Sequence, residues 1–125
     1  MILKKIFVNH TNHLRKKWSP EQIIAAEKFG EIVDFPFPNI DANWNEQQIS
    51  EFVEVNGKKI LALNPVAVLC QGEYSYTYAM INYLKGNNIL VLAASSARIV
   101  EEIITEDGAT QKVSLFKFVK FRQYK

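Results

Sequence analysis

The two histidines of the chain, His10 and His13, stand in one short stretch, Asn9-His10-Thr11-Asn12-His13, directly after the apolar run Ile6-Phe7-Val8. An imidazole with an ordinary pKa near 6.5 gives or takes a proton at neutral pH. A polar loop leaving the first strand of an α/β protein opens onto the crevice at the carboxyl ends of the strands, where such proteins place their ligands. The same residues also suit a plain capped turn, because Asn and Thr hydrogen-bond locally. On the site reading His10 and His13 are the candidate acid and base. His10 is slightly favoured for its nearness to the strand end, with Asn9, Thr11 and Asn12 as ligand contacts.

Two further segments bring polar side chains to the same end. Gln71-Gly72-Glu73-Tyr74-Ser75 follows the apolar run Pro65 to Cys70 and opens a helix, so Gly72 could admit a ligand to the backbone while the N–H groups near Tyr74 and Ser75 face an anion. Ser95-Ser96-Ala97-Arg98 follows the run Ile89 to Ala93, and its serines with Arg98 could hold a phosphate. Neither segment is a Walker loop or the three-glycine dinucleotide fingerprint, which disfavours ATP hydrolysis and nicotinamide chemistry. Only Asp34, Asp41 and Glu73 could join the histidines around a metal, so no metal and no cofactor is expected. A Ser-His-Asp order and a nucleophile elbow are also missing.

The elements that must carry these residues alternate. Strand one is Ile6 to Val8. Ser19-Pro20-Glu21-Gln22 starts a helix, with Ser as cap, Pro in the first helical position and Gln22 placed to complete a capping box; the helix ends near Gly30. Glu31 to Phe35 is strand two, broken by Pro36-Phe37-Pro38. A helix from about Asn45 to Leu63 has its weak point at Asn56-Gly57. Pro65 to Cys70 is an inner parallel strand, Tyr74 to Leu84 a helix stopped by Gly86-Asn87-Asn88, and Ile89 to Ala93 a strand followed by a polar turn at Ala94-Ser95-Ser96. Then Arg98 to Thr105 and Gln111 to Tyr124 form two strands joined by Glu106-Asp107-Gly108, although Val100, Ile103 and Ile104 also fit a short helix. The fold class is therefore α/β, a Rossmann-like three-layer sandwich with a mostly parallel sheet and a C-terminal antiparallel hairpin. Strand one beside strand three, the flavodoxin-like order, would bring the first two polar loops face to face.

A length of 125 residues suits one domain spanning 1–125, and 48% hydrophobic with 22% charged residues is a globular composition. The net charge of +2 demands no long nucleic acid, although Lys4, Lys5, Arg15, Lys16 and Lys17 crowd around the histidine loop. Cys70 lies in an apolar run and reads as a buried, inert thiol. With no signal pattern and no membrane-spanning stretch, the expected location is cytoplasmic, without membrane contact. In the last strand Val113, Leu115, Val119 and Phe121 alternate with Phe116, Phe118 and Tyr124, which gives two partly apolar faces. A second subunit, making a homodimer, is the preferred cover.

Ile6 to His13, Trp18-Ser19, Gly30-Glu31-Ile32, Ala67 to Glu73 and Phe116 to Arg122 together resemble a family of small CRISPR-associated accessory proteins related to the type III ring nucleases. The resemblance implies a Rossmann-like homodimer that binds a cyclic oligoadenylate second messenger. It implies metal-independent cleavage by 2′-hydroxyl attack, leaving a 2′,3′-cyclic phosphate. Gly72-Glu73-Tyr74 stands where related sensors carry a Gly-Thr-Lys turn. The same loops would serve a regulator that binds without cleaving. A small nucleoside- or nucleotide-processing enzyme with Glu73 as nucleophile or base is the third reading.

Overall fold

Hydrophobic side chains of opposite parity along each inner strand require cover on both faces of a sheet, and the computed structural model, which describes residues 4–125, supplies it. The elements are β1 (Ile6–Thr11), a 3₁₀ turn (Arg15–Lys17), α1 (Pro20–Glu27), β2 (Glu31–Asp34), α2 (Glu46–Ala62), β3 (Ala67–Gln71), α3 (Tyr74–Gly86), β4 (Leu90–Ile104) and β5 (Thr110–Gln123). All five strands form one sheet in the order β2-β1-β3-β4-β5. The first four run parallel, and β5 closes the edge antiparallel to β4. The α/β architecture and the placing of β1 beside β3 agree with the sequence.

Neighbouring residues divide between two cores. Phe7, Leu69 and Leu92 pack with Trp18 and Ala26 on the α1 side. Val8, Val68 and Val91 pack with Ile60, Met80 and Leu84 on the side of α2 and α3. Each fully buried side chain of this kind contributes roughly 1.5–3 kcal/mol. Among the described residues the two ion pairs, Lys4–Glu31 and Lys58–Glu54, are exposed and worth about 0–1 kcal/mol each. The two apolar layers therefore hold the fold.

The helix ends follow their caps. Ser19 Oγ accepts from the Gln22 backbone, but the reciprocal box forms at α2, between Asn45 and Gln48. The break expected at Asn56-Gly57 is not there. Asn56 turns inward and donates to Tyr76 Oη, and Gly57 lies against the Tyr83 ring, where a Cβ would collide with the ring. A glycine that weakens a helix locally is here the condition for close packing of α2 on α3.

Two corrections concern the last third of the chain. No turn occurs at Ala94-Ser95-Ser96 and no helix at Val100 to Ile104, because β4 runs unbroken from Leu90 to Ile104. Continuous pairing with β5 overrides the turn preference of two serines. A bulge opposite Ser95 and Ser96 also inserts Val119 into β5 and resets its parity. Phe121 thus joins Phe118, at a ring separation of 4.9 Å, on the α1 face rather than opposing it. The Asp-Gly turn forms as expected, with Gly108 at φ +84. Among the described residues no helix is long and apolar enough to cross a membrane.

Candidate functional site

The polar stretch after β1 is not all loop. β1 extends through Asn9, His10 and Thr11, and all three side chains are buried. Their polarity is met partly by one another and the His13 loop and partly by partners distant in sequence. Asn9 Nδ2 donates to Asp34 Oδ1 at 2.8 Å and to the His13 carbonyl at 2.9 Å. Trp18 Nε1 donates to that same carbonyl at 2.9 Å. Thr11 Oγ1 donates to Asn9 Oδ1. The His13 backbone is thereby pinned while its side chain stays exposed.

His10 is placed differently from the expectation. It is fully buried on the α2 and α3 side, ringed by Phe35, Phe37 and Tyr76. Nδ1 lies 2.7 Å from the Phe35 carbonyl and Nε2 2.7 Å from Tyr76 Oη. A carbonyl only accepts, so Nδ1 carries the proton, Nε2 accepts from the tyrosine, and Tyr76 in turn accepts from Asn56. Burial lowers the His10 pKa, against a smaller opposing pull from the Phe35 carbonyl. The ring is neutral and has no free nitrogen, so its place is structural.

The residues that do meet form a crevice of about 450 Å³ at the carboxyl ends of β1, β3 and β4, on the α1 side. Thr11, His13, Gln71 and Ser96 come from the sequence expectation, and Lys17, Trp18, Ser19, Gln22, Phe116 and Phe118 complete the walls. Gln71 Oε1 accepts from the Ala94 backbone at 2.8 Å, which ties β3 to β4 at the crevice wall. Its lining holds no carboxylate. Sequence reasoning passed over the aromatic walls, although Phe116 and Phe118 at alternate positions on one face were a usable signal.

The remaining expected residues stand elsewhere. Asn12 is exposed beyond the strand. Ser95 falls on the opposite face of β4 from Ser96. Arg98 lies one pair further out, opposite Phe116, and its guanidinium donates to Ser114 Oγ at 3.0 Å. Gly72 serves packing rather than ligand approach, since a Cβ there would strike the Phe37 ring. Glu73 caps α3, accepting from the Tyr76 backbone at 2.8 Å, so the helix N-terminus expected to face an anion is filled by the chain's own carboxylate. Glu73 and Ser75 line a separate cavity of about 380 Å³ with Asp41 and Glu46, and three carboxylates there repel phosphate. Tyr74 projects into solvent. A wider cleft of about 610 Å³ near the amino ends of β1 and β2 sets Lys4, Lys5, Arg15 and Lys28 against Glu27 and Glu31. Among the described residues no three His, Cys, Asp or Glu side chains stand close enough to share a metal. Cys70 is buried in β3, with its thiol pushed up to about 12 by desolvation.

A profile of the Uncharacterized protein MJ1673 family matches residues 5–122. A relative from Methanocaldococcus jannaschii, described as Uncharacterized protein MJ1673, is 29% identical over 122 residues, which cover 96% of this chain and 90% of that protein.

Proposed function

For this chain, which belongs to the Uncharacterized protein MJ1673 family, we propose a function read from its crevice: a ring nuclease that binds and cleaves a cyclic oligoadenylate and so switches off type III CRISPR signalling in the cytoplasm. The observation that carries this reading is the lining. Phe116 and Phe118 offer faces for adenine rings, while Lys17, His13, Ser19, Gln22, Gln71 and Ser96 offer donors to phosphate, with no opposing carboxylate. Stacking of a base on an aromatic side chain contributes about 1–3 kcal/mol, and the cation supplies the charge. Glu73 lies outside this crevice, where it caps α3 and borders the separate acidic cavity.

In the proposed reaction the ribose 2′-oxygen attacks the adjacent phosphorus as His13 takes its proton. The P–O5′ bond breaks, the departing oxygen is protonated by water, and a 2′,3′-cyclic phosphate remains. Lys17 offsets the charge that develops on the phosphoryl oxygens. The alignment of the 2′-oxygen falls to the stacked bases and the pinned His13 loop.

The test is incubation of the purified protein with a panel of cyclic oligoadenylates in EDTA, followed by chromatography of the products. A linear product ending in a 2′,3′-cyclic phosphate is the expected result. Tight binding in calorimetry with an intact ring makes the protein a regulator that binds only. Neither binding nor cleavage rejects the reading. Lys17→Ala is expected to weaken binding about tenfold, as for a lost charge-assisted contact. It should also flatten the slope of log affinity against log salt by about 0.7. An unchanged slope would place the phosphates away from Lys17.

A further inference from the structure

β3 pairs with β4 only at Leu90 to Leu92, so from Ala93 outward β4 has β5 as its one strand neighbour among the described residues. The two strands continue to the turn at Thr105–Ala109 as a ribbon beyond the body of the sheet. A two-stranded ribbon alone is marginal in water. This one nevertheless carries exposed Ile99, Val100, Ile103, Ile104, Leu115 and Val119.

The two faces differ. Ser96, Phe116 and Phe118 face the crevice on the α1 side. The opposite face pairs Ala97 with Lys117, Ile99 with Leu115, and Glu101 with Val113. From base to tip that face reads cationic (Lys120, Lys117), apolar (Ile99, Leu115), then Glu101 beside Val113, with Ile103 and Gln111 before the turn. Ile99 is 38% and Leu115 47% exposed, so the apolar middle is open.

We infer that this face of the β4–β5 ribbon is the seat of a second copy of the chain, laid face to face about a two-fold axis through the Ile99–Leu115 pair. The operation turns the tip of one ribbon over the base of the other. Ile99 and Leu115 meet their own images, and Glu101 of each copy comes beside Lys117 of the other. The central apolar pair and the Glu101–Lys117 contacts are self-complementary, as an isologous interface must be, and Ile103 falls beside Ser95 of the other copy. Edge-to-edge pairing is disfavoured, because Lys112, Lys117, Lys120 and Arg122 along β5 are the charges that blunt a free edge. This inference does not rest on the ligand assigned to the crevice, which opens on the other face.

Sedimentation velocity from sub-micromolar to tens of micromolar protein, without nucleotide, tests it. A dimer is expected, and Ile99→Asp should abolish it while circular dichroism shows the fold retained. Glu101→Lys alone and Lys117→Glu alone should each raise the dimer dissociation constant about tenfold, because two pairs per dimer turn from attraction to repulsion. The double reversal should restore most of the loss, and it decides the matter if Ile99→Asp fails to fold. A monomer at every concentration, a dimer that survives Ile99→Asp, or a double reversal no better than the singles would overturn the inference. A cleavage assay that fails would leave it standing.

Discussion

On the proposed ring-nuclease reading, replacement of His13 by alanine is expected to slow single-turnover cleavage of a cyclic oligoadenylate about 10²–10⁴-fold, the usual contribution of a general acid or base, with affinity largely kept. The expectation rests on where the ring can and cannot be. Asn9 and Trp18 both donate to the His13 carbonyl, so the backbone that carries the imidazole is fixed while the exposed residue lines the crevice. His13 is also the one histidine in the lining. A variant that cleaves at the wild-type rate removes His13 from the chemistry and leaves alignment of the 2′-oxygen by the crevice as the remaining account. A loss of affinity as large as the loss of rate would make His13 a ligand contact instead.

The sequence exposed whatever depends on local pattern. The apolar runs of β3 and β4, the Ser19-Pro20 helix start and the Asp107-Gly108 hairpin all carry their signal within a few residues, and all formed. What stayed hidden depends on partners far along the chain. Asn9, His10 and Thr11 read as loop because they are polar. They are strand because Asp34 satisfies Asn9, and the Phe35 carbonyl and Tyr76 satisfy His10, from 25 to 66 positions away, while Thr11 closes on Asn9. One bulge at Val119 was enough to move Phe121 to the other face of β5, since a single inserted residue inverts a period of two. The site suffered in the same way. Glu73 and Gln71 are two positions apart, yet one caps a helix above the acidic cavity and the other closes the crevice. No spacing rule separates them.

His10 provides the second large effect, and it falls on stability. His10→Ala empties a fully buried site and leaves the Phe35 carbonyl without its donor and Tyr76 without its acceptor. Cavity formation with orphaned polar groups is expected to cost about 3–5 kcal/mol in urea unfolding, a large part of the ~5–15 kcal/mol that holds a domain together. The intact network also has a pH signature. Burial lowers the His10 pKa in the folded protein, so the unfolded chain binds the proton more readily. The stability contributed by the neutral ring is complete above the unfolded value near 6.5 and is lost as pH falls below it, toward the depressed folded value. Wild-type stability should therefore decline from about pH 6.5 downward with a slope of up to about 1.4 kcal/mol per pH unit from this group. In His10→Ala, or in His10→Gln if the alanine variant is too unstable to titrate, that component of the slope disappears. Per folded molecule, cleavage should be unchanged, which separates His10 from His13 in one pair of variants. A His10→Ala protein that loses under about 0.5 kcal/mol and keeps the acid-side slope would show that the ring is not held as described.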